Sequence, residues 1–80
     1  MNTQQAVSRR IIELCEERGL ALHALARLSA VPPSTLKNIV SGVSRNPGIV
    51  TIKLLCDGLG ITLDEFFHTD AFRTLEQEIR

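Results

Sequence analysis

The chain has no acidic residue between Gly19 and Cys56. The same stretch carries four basic residues, which are Arg27, Lys37, Arg45 and Lys53. After Cys56 the balance reverses, with six acidic residues against two basic ones. The formal net charge of +0 therefore conceals a basic middle and an acidic tail. Because a positive face attracts a phosphate polyanion, nucleic acid stays among the candidate partners of this electrically neutral chain.

Aromatic residues are scarce, at 4% of the chain, whereas apolar residues make up 44%. This composition favours a core of leucine, isoleucine, valine and alanine, which is typical of small helical bundles. Eighty residues suffice for one small domain near the lower size limit for a self-sufficient core. Such a domain has no room for a substrate pocket and a catalytic apparatus, so we expect neither an enzyme nor a small-molecule ligand.

Cysteine and histidine are also rare, with two of each. Cys15, Cys56, His23 and His68 do not have the spacing of a metal site, so no metal is expected. An enzyme would have to use Cys15 with His23 as a thiolate pair, but no orienting acid accompanies them. Both cysteines lie in apolar helical patterns and are predicted to be reduced and buried.

Long apolar runs are missing, and no stretch reaches the length that spans a membrane. The segment Ser8-Arg9-Arg10 superficially resembles a twin-arginine export signal. The residues that follow it include Glu13, Glu16 and Glu17, so no apolar signal core exists. These features predict a cytoplasmic protein without a membrane partner.

Glycine and proline divide the chain into short helical pieces, and no segment shows the alternation of a strand. The sequence therefore predicts an all-α fold with five helices and a possible short C-terminal helix. The predicted helices cover about Thr3 to Arg18, Leu22 to Leu28, Pro33 to Val40, Ile49 to Leu59, and a fifth that opens at Thr62. The division predicts a domain over 1–68 and an amphipathic tail helix over 69–80.

Local signals mark several of these helix ends. Gly19 suits a left-handed C-terminal cap, and proline at position 33 is tolerated because a first-turn N–H is unsatisfied anyway. Thr62 and Glu65 match a capping box. The predicted core contains Ile11, Leu14, Leu25, Ala26, Leu36, Ile39, Leu54, Leu55, Leu59, Leu63 and Phe66. Leu22 and Leu28 are also expected to point inward.

The second and third helices fit a helix-turn-helix. Ala26 is small enough for the corner where two helices cross, and the turn falls at about Ser29 to Val31. Leu36 and Ile39 would anchor the third helix on the second. The opposite face carries Ser34, Lys37, Asn38 and Ser41, at helical spacing. Short donors and acceptors suit the edges of DNA bases, although an ordinary solvated face would also account for this stripe.

The order of these pieces resembles one family, the phage Cro/cI-type repressors of the xenobiotic-response-element family. The resemblance covers about residues 8 to 68. The segments that carry it are Arg10-Ile-Ile-Glu-Leu, Glu17-Arg-Gly-Leu20, Leu25-Ala26-Arg27, Val31-Pro-Pro-Ser-Thr-Leu36, Ile39 with Ser41-Gly42, Arg45-Asn-Pro47, Thr51-Ile-Lys-Leu54 and Asp57-Gly-Leu-Gly-Ile61-Thr-Leu-Asp-Glu-Phe66. It implies a five-helix, lambda-repressor-like domain that binds double-stranded DNA without a cofactor, usually as a homodimer.

The resemblance also implies which residues touch DNA. The recognition helix falls on Pro33 to Val40, and its base-reading positions are Pro33, Ser34, Lys37 and Asn38. The loop from Val43 to Asn46 contacts phosphate. The full set of predicted backbone contacts is Thr35, Ser41, Ser44, Arg45, Asn46 and Lys53.

The chain departs from the family pattern in three ways. Leu22 replaces a glutamine that grips phosphate, and Ala30 replaces the glycine of the turn. If Ala30 is left-handed, its side chain costs on the order of 1 kcal/mol. Pro32 and Pro33 replace hydrogen-bonding residues, which shifts sequence reading toward Lys37 and Asn38.

The sequence thus predicts a DNA-binding transcriptional regulator, and a repressor in particular. The alternative is a degenerate helix-turn-helix that binds protein, such as an antitoxin or adaptor, because Leu22, Pro32 and Pro33 make the face more apolar. The apolar stripe Phe72, Leu75 and Ile79 predicts a dimer contact or packing within the chain. The acidic tail is expected to lie away from phosphate.

Overall fold

The computed structural model describes residues 1–79, and this part of the chain contains six α-helices and no strand. The helices are α1 (Thr3–Glu17), α2 (Leu22–Ser29), α3 (Pro33–Val40), α4 (Ile49–Leu59), α5 (Leu63–Phe67) and α6 (Asp70–Arg73). The predicted all-α fold is confirmed. The bounds predicted for α3 and α4 are those observed, and Thr62 caps α5 through the predicted capping box with Glu65.

The predicted tail helix is wrong beyond Arg73, because residues 74–79 are not helical. Phe72 and Leu75 are half-buried and Ile79 is 87% exposed, so these three side chains do not form one helical stripe. The remaining residues of this segment are polar and exposed. A short helix is marginal in water unless an apolar face packs against something, and this segment offers too little apolar surface.

The core lies where α1, α2, α3, α4 and α5 meet. Its buried apolar residues are Ala6, Val7, Ile11, Leu14, Cys15, Leu25, Ala26, Val31, Leu36, Ile39, Ile52, Leu55, Cys56, Leu59 and Phe66. Most of the predicted core is therefore confirmed, and Leu22 and Leu63 pack against it half-buried. Two predictions are wrong, because Leu28 is 62% exposed and Leu54 is 38% exposed. Ile52 occupies the inward side of α4 instead.

The crossing of α2 and α4 depends on a glycine. A Cβ atom on Gly58 would lie 2.9 Å from Cβ of Ser29 and 3.0 Å from its backbone nitrogen. Real Cβ contacts are not that short, so a side chain at position 58 would push the two helices apart. Ser29 is itself buried, and its hydroxyl donates to the carbonyl oxygen of Leu25 at 2.6 Å. The smallest residue at position 58 thus allows the helix-turn-helix to sit directly on α4.

Helix α1 caps the C-terminal ends of three other helices. Arg10 donates from Nε to the carbonyl oxygen of Phe66 at 2.7 Å, and from Nη2 to that of Glu65 at 2.9 Å. Arg18 donates to the carbonyl oxygen of Leu59, at the end of α4. Ser8 donates to the carbonyl oxygen of Ile39, near the end of α3, at 2.6 Å. These carbonyls lie in the last turns of their helices, where later helical N–H partners are missing. Backbone N–H groups of Gly42 and His68 also reach the carbonyls of Ile39 and Glu65, so Ser8, Arg10 and Arg18 add to the capping of these helix ends.

All three phenylalanines of the chain pack together at one end of the domain. The ring centroids of Phe66 and Phe67 lie 4.9 Å apart, and those of Phe67 and Phe72 lie 4.9 Å apart. Both pairs meet edge to face, an arrangement that aromatic quadrupoles favour. Phe72 therefore joins α6 to α5, and its predicted role in a dimer contact stays a prediction.

We expect the substitution Ala30→Gly to raise the free energy of unfolding by about 0.5–1 kcal/mol. Ala30 is the one non-glycine residue among 1–79 with a positive φ, at 57°, which confirms the left-handed conformation anticipated for the turn. Glycine removes the steric cost of the Cβ atom there, although it makes the unfolded chain more flexible. Urea unfolding followed by far-ultraviolet circular dichroism measures the change.

The matched control for Ala30 is Gly60→Ala. Gly60 has φ 72° and no atom within 4 Å of its would-be Cβ, so only backbone strain changes. This control should lose about 1 kcal/mol. A loss of stability on Ala30→Gly would show that the turn is not strained.

Candidate nucleic-acid interface

Helix α3 presents the predicted polar stripe to solvent. Pro32 is the N-cap of this helix and Pro33 its first residue, so the fixed φ of proline sets the direction in which the helix leaves the turn. Leu36 and Ile39 are buried on one side. The predicted base-reading residues Pro33, Ser34, Lys37 and Asn38 are all exposed, as are Thr35 and Ser41.

The polar side chains of the α3 stripe are free to bind a partner. Within residues 1–79, the side chains of Ser34, Lys37 and Asn38 make no hydrogen bond or ion pair with the rest of the chain. The helix ends at Val40, and Gly42, with a φ of 85°, turns the chain into the loop. Ser44 then donates its backbone N–H to the carbonyl oxygen of Asn38 at 2.9 Å. This bond ties the start of the loop to the last turn of α3, next to the stripe.

The loop predicted to contact phosphate continues from the stripe. Val43, Arg45 and Asn46 are exposed, and Ser44 is half-buried. Arg45 and Asn46 line an open groove whose other walls are the first turns of α1 and the tail. The backbone bond from Ser44 to Asn38 therefore places the loop beside the α3 stripe, whereas Lys53 lies on α4.

Lys53 belongs to a different surface. Its ammonium pairs with the carboxylate of Asp57, one turn later on α4. Both residues share an exposed stripe with Val50, which is 70% exposed, and Leu54, which is 38% exposed. Because its ammonium already pairs with a carboxylate, Lys53 is less available to bind a phosphate. The predicted role of Lys53 in the DNA interface has less structural support than that of Arg45.

Two α1 residues that contact α3 were not predicted from the sequence. Ser8 Oγ and Gln4 Nε2 both donate to the carbonyl oxygen of Ile39, at 2.6 Å and 3.0 Å. Gln4 Nε2 also donates to Ser8 Oγ at 3.1 Å. In the sequence, these two residues are marked only as polar residues four positions apart, on a helix whose apolar side holds Val7 and Ile11. Nothing in that spacing reveals an acceptor on another helix.

The acidic tail does not lie away from this surface. Glu76 and Glu78 line the same groove as Arg45 and Asn46. The hydroxyl of Thr3 donates to Glu78 Oε2 at 2.8 Å, which holds the tail against the start of α1. The expectation of a remote tail is therefore wrong, because residues 74–79 fold back instead of extending as a helix. Two carboxylates border the basic loop and offset part of its positive charge.

The two cysteines are buried and free, as predicted. Burial raises the pKa of the Cys15 thiol. It also raises the pKa of the Cys56 thiol, where Lys53 acts weakly in the opposite direction. A raised pKa leaves less of the reactive thiolate at neutral pH. His23, the residue considered with Cys15, is exposed on α2.

Among residues 1–79, no three histidine, cysteine, aspartate or glutamate side chains are arranged to hold a metal ion. In the same range, every helix is too short or too polar to traverse a lipid bilayer.

The comparisons with known proteins agree with this geometry. The model of the Helix-turn-helix family HTH_3 matches residues 11–66. That range is more than half of the chain, so the chain belongs to this family. None of the curated proteins matches it.

Two solved structures are similar to the whole domain. One is the prophage Lp1 protein 11, with 30% identity and a TM-score of 0.81, covering 94% of this chain and 100% of that one. The other is an HTH_3 family transcriptional regulator from Vibrio cholerae, with 31% identity and a TM-score of 0.74, covering 80% of this chain. The chain spans 35% of the length of that regulator.

Proposed function

We propose that this domain is a DNA-binding transcriptional regulator, and specifically a repressor, that reads the major groove with α3. The single observation that carries the proposal is the α3 stripe, where Ser34, Lys37 and Asn38 are exposed and their side chains make no hydrogen bond or ion pair within residues 1–79. Membership of the helix-turn-helix family supports it, as does the description of the Vibrio cholerae protein as a transcriptional regulator.

The division of labour follows from the chemistry of each side chain. An asparagine amide can donate to N7 or accept from N6 of adenine, and a lysine ammonium can donate to guanine O6 or N7. Asn38 and Lys37 are the residues of the stripe with those groups. Arg45 lies on the loop beyond, where a guanidinium would meet the phosphate backbone and fix the orientation of the helix. A repressor acts by occupying its site, which requires no catalytic group.

The experiment that tests this function begins with selection of bound sequences from a random DNA library. Asn38→Ala should then lose about 1–3 kcal/mol of affinity on the selected site and relax preference at one base pair. Arg45→Ala should weaken binding to all sequences alike and reduce the salt slope by about 1. Both effects are measured by fluorescence anisotropy with labelled duplexes at several salt concentrations.

The matched control for the charge change is Arg73→Ala. Arg73 pairs with Asp70 at 2.7 Å in α6, outside the candidate interface. Arg73→Ala should leave the salt slope of DNA binding nearly unchanged. An equal loss on selected and random DNA for Asn38→Ala would refute its role as a base reader.

We also propose that the regulator binds as a homodimer. One eight-residue helix contacts few base pairs, and two copies related by a two-fold axis would place their α3 helices about 34 Å apart, one turn of duplex. The tail offers little continuous apolar surface for this contact, because Phe72 packs on Phe66 and Phe67. The exposed α4 stripe suits it better. Val50 and Leu54 are apolar, and Lys53 and Asp57 have opposite charges, so antiparallel copies could pair each lysine with the other aspartate.

Light scattering distinguishes the two surfaces. Leu54→Glu should convert the dimer to a monomer, because it places a carboxylate in the apolar centre of the α4 stripe. The control Ile79→Glu makes the same kind of change on the tail, at a residue that is 87% exposed. Dissociation by Ile79→Glu alone would assign the dimer to the tail, and a monomeric wild type at high concentration would exclude a dimer without DNA.

A second candidate function is protein recognition by a degenerate helix-turn-helix. One observation favours it, an apolar cleft at the turn lined by His23, Ala26, Arg27, Ala30, Val31, Pro32 and Pro33. Leu22 does not add to this face, because it packs against the core. Salt separates the two functions, since a phosphate binder loses affinity steeply as salt rises. DNA binding that is weak, unselective and insensitive to salt would favour a protein partner.

A further inference from the structure

The C-terminal end of α3 is fixed by side chains that lie on α1, away from the predicted base-reading stripe. The carbonyl oxygen of Ile39 accepts three hydrogen bonds: from Ser8 Oγ at 2.6 Å, from Gln4 Nε2 at 3.0 Å, and from the backbone nitrogen of Gly42 at 3.3 Å. Gln4 and Ser8 are one helical turn apart, and Gln4 also donates to Ser8 Oγ at 3.1 Å. This cluster is a second attachment of α3, distinct from its apolar contact with α2.

Apart from this cluster, few contacts fix the orientation of α3. The helix has eight residues, and only Leu36 and Ile39 are buried. Its N-terminal end receives no side-chain hydrogen bond, because the cap is Pro32. Two buried side chains act as a pivot about which a short helix can rock. The cluster at Ile39 is the polar contact that opposes this motion, and it lies next to Asn38 in sequence.

The surroundings of the cluster strengthen the contact. Ser8 is only 9% exposed and Ile39 is 2% exposed, so water competes little for the shared carbonyl. Gln4 is half-buried, and its amide is the nearest side chain to Gly42, at 3.8 Å from the position of a Cβ atom. The amide therefore covers the point where α3 turns into the loop that carries Arg45. A hydrogen bond shielded from water holds geometry better than one at the surface.

We propose that Gln4 and Ser8 are positioning residues that set the orientation of the recognition helix and, through it, the sequence preference of the domain. This inference rests on the proposed function, because it names residues that act on the same site. Base readout requires donors and acceptors to be held within about 0.5 Å of their productive positions. Phosphate contacts tolerate more movement, because they depend on charge at longer range.

The test compares two adjacent glutamines of α1. Gln4→Met keeps the size of the side chain and removes the donor. Gln5→Met is the matched control, because Gln5 is exposed and bonds only within the capping box of α1. Gln4→Met should weaken binding to the selected DNA site about tenfold, the loss of one base contact, and binding to random DNA less than about twofold. Gln5→Met should weaken each by less than about twofold.

A second variant and a second measurement distinguish a change in the orientation of α3 from a loss of global stability. Ser8→Ala should shift the ratio of selected to random binding in the same direction as Gln4→Met. Amide hydrogen exchange in the absence of DNA should be faster at Gly42 and Ser44 in Gln4→Met, and unchanged there in Gln5→Met. A change in global stability alone would move both glutamine variants alike.

Three results would count against the proposal or its basis. Equal losses on selected and random DNA in Gln4→Met would overturn the positioning role. So would a Gln4→Met variant that matches Gln5→Met in both DNA preference and hydrogen exchange. A wild-type chain that prefers no DNA sequence overturns the proposed function itself, whereas a wild-type preference that Gln4→Met leaves intact overturns only the positioning role.

Discussion

Replacing Leu36 by alanine should lower the free energy of unfolding by about 2–5 kcal/mol. Leu36 is 1% exposed and is one of the two buried side chains of α3. Truncation removes apolar contacts and leaves a cavity that its neighbours fill only in part. The chain has no tryptophan or tyrosine, so urea unfolding is best followed by circular dichroism at 222 nm.

The control for Leu36 is Leu28→Ala, the same change at a side chain that is 62% exposed. Surface substitutions of this kind usually stay within about 0.5 kcal/mol. The variant Leu36→Ala should also bind selected DNA less well, because α3 is no longer held in place. Equal stability of the two variants would contradict the assignment of Leu36 to the buried side of the helix-turn-helix.

The largest loss of stability is expected for Phe66→Ala, at about 3–5 kcal/mol. Phe66 is fully buried and is the innermost ring of the phenylalanine cluster, with Phe67 at 4.9 Å and Phe72 at 6.2 Å between centroids. Helix α5 has only five residues, so one side chain accounts for most of its attachment. Small domains are stable by about 5–15 kcal/mol, and this variant could lose most of that.

Phe67→Ala is the companion measurement for Phe66. Phe67 is half-buried, so its truncation removes less contact and opens its space to solvent rather than leaving a sealed cavity. We expect a loss of less than half of that for Phe66→Ala. Comparable losses would show that the two rings contribute equally and that the exposed edge of the cluster matters as much as its centre.

The sequence predicted best where the signal is local. Prolines at the start of α3 and the capping box at Thr62 depend on residues a few positions apart, and the structure has both. The α3 stripe was also visible, because helical spacing alone puts Ser34, Lys37 and Asn38 on one side. Exposure of these side chains is confirmed, whereas their contact with DNA stays a prediction.

The wrong or missing predictions concern contacts between helices that lie far apart in the sequence. Helix α4 carries apolar residues on several sides, so periodicity could not tell that Ile52 faces inward and Leu54 outward. That choice depends on the close approach of α2 at Gly58. Similarly, the bond from Gln4 to Ile39 joins residues 35 positions apart. The folding back of the tail depends on Thr3, at the other end of the chain.

The capping of three helices by α1 has a consequence for the order in which the protein is made. A ribosome completes α1 before it has added any of the carbonyls that Ser8, Arg18 and Arg10 will bind, which belong to Ile39, Leu59 and Phe66. Ile39 leaves the exit tunnel first, then Leu59 and then Phe66, so Ser8, Arg18 and Arg10 gain their acceptors in that order. The last of these caps, on α5, can form only after residue 66 has left the tunnel.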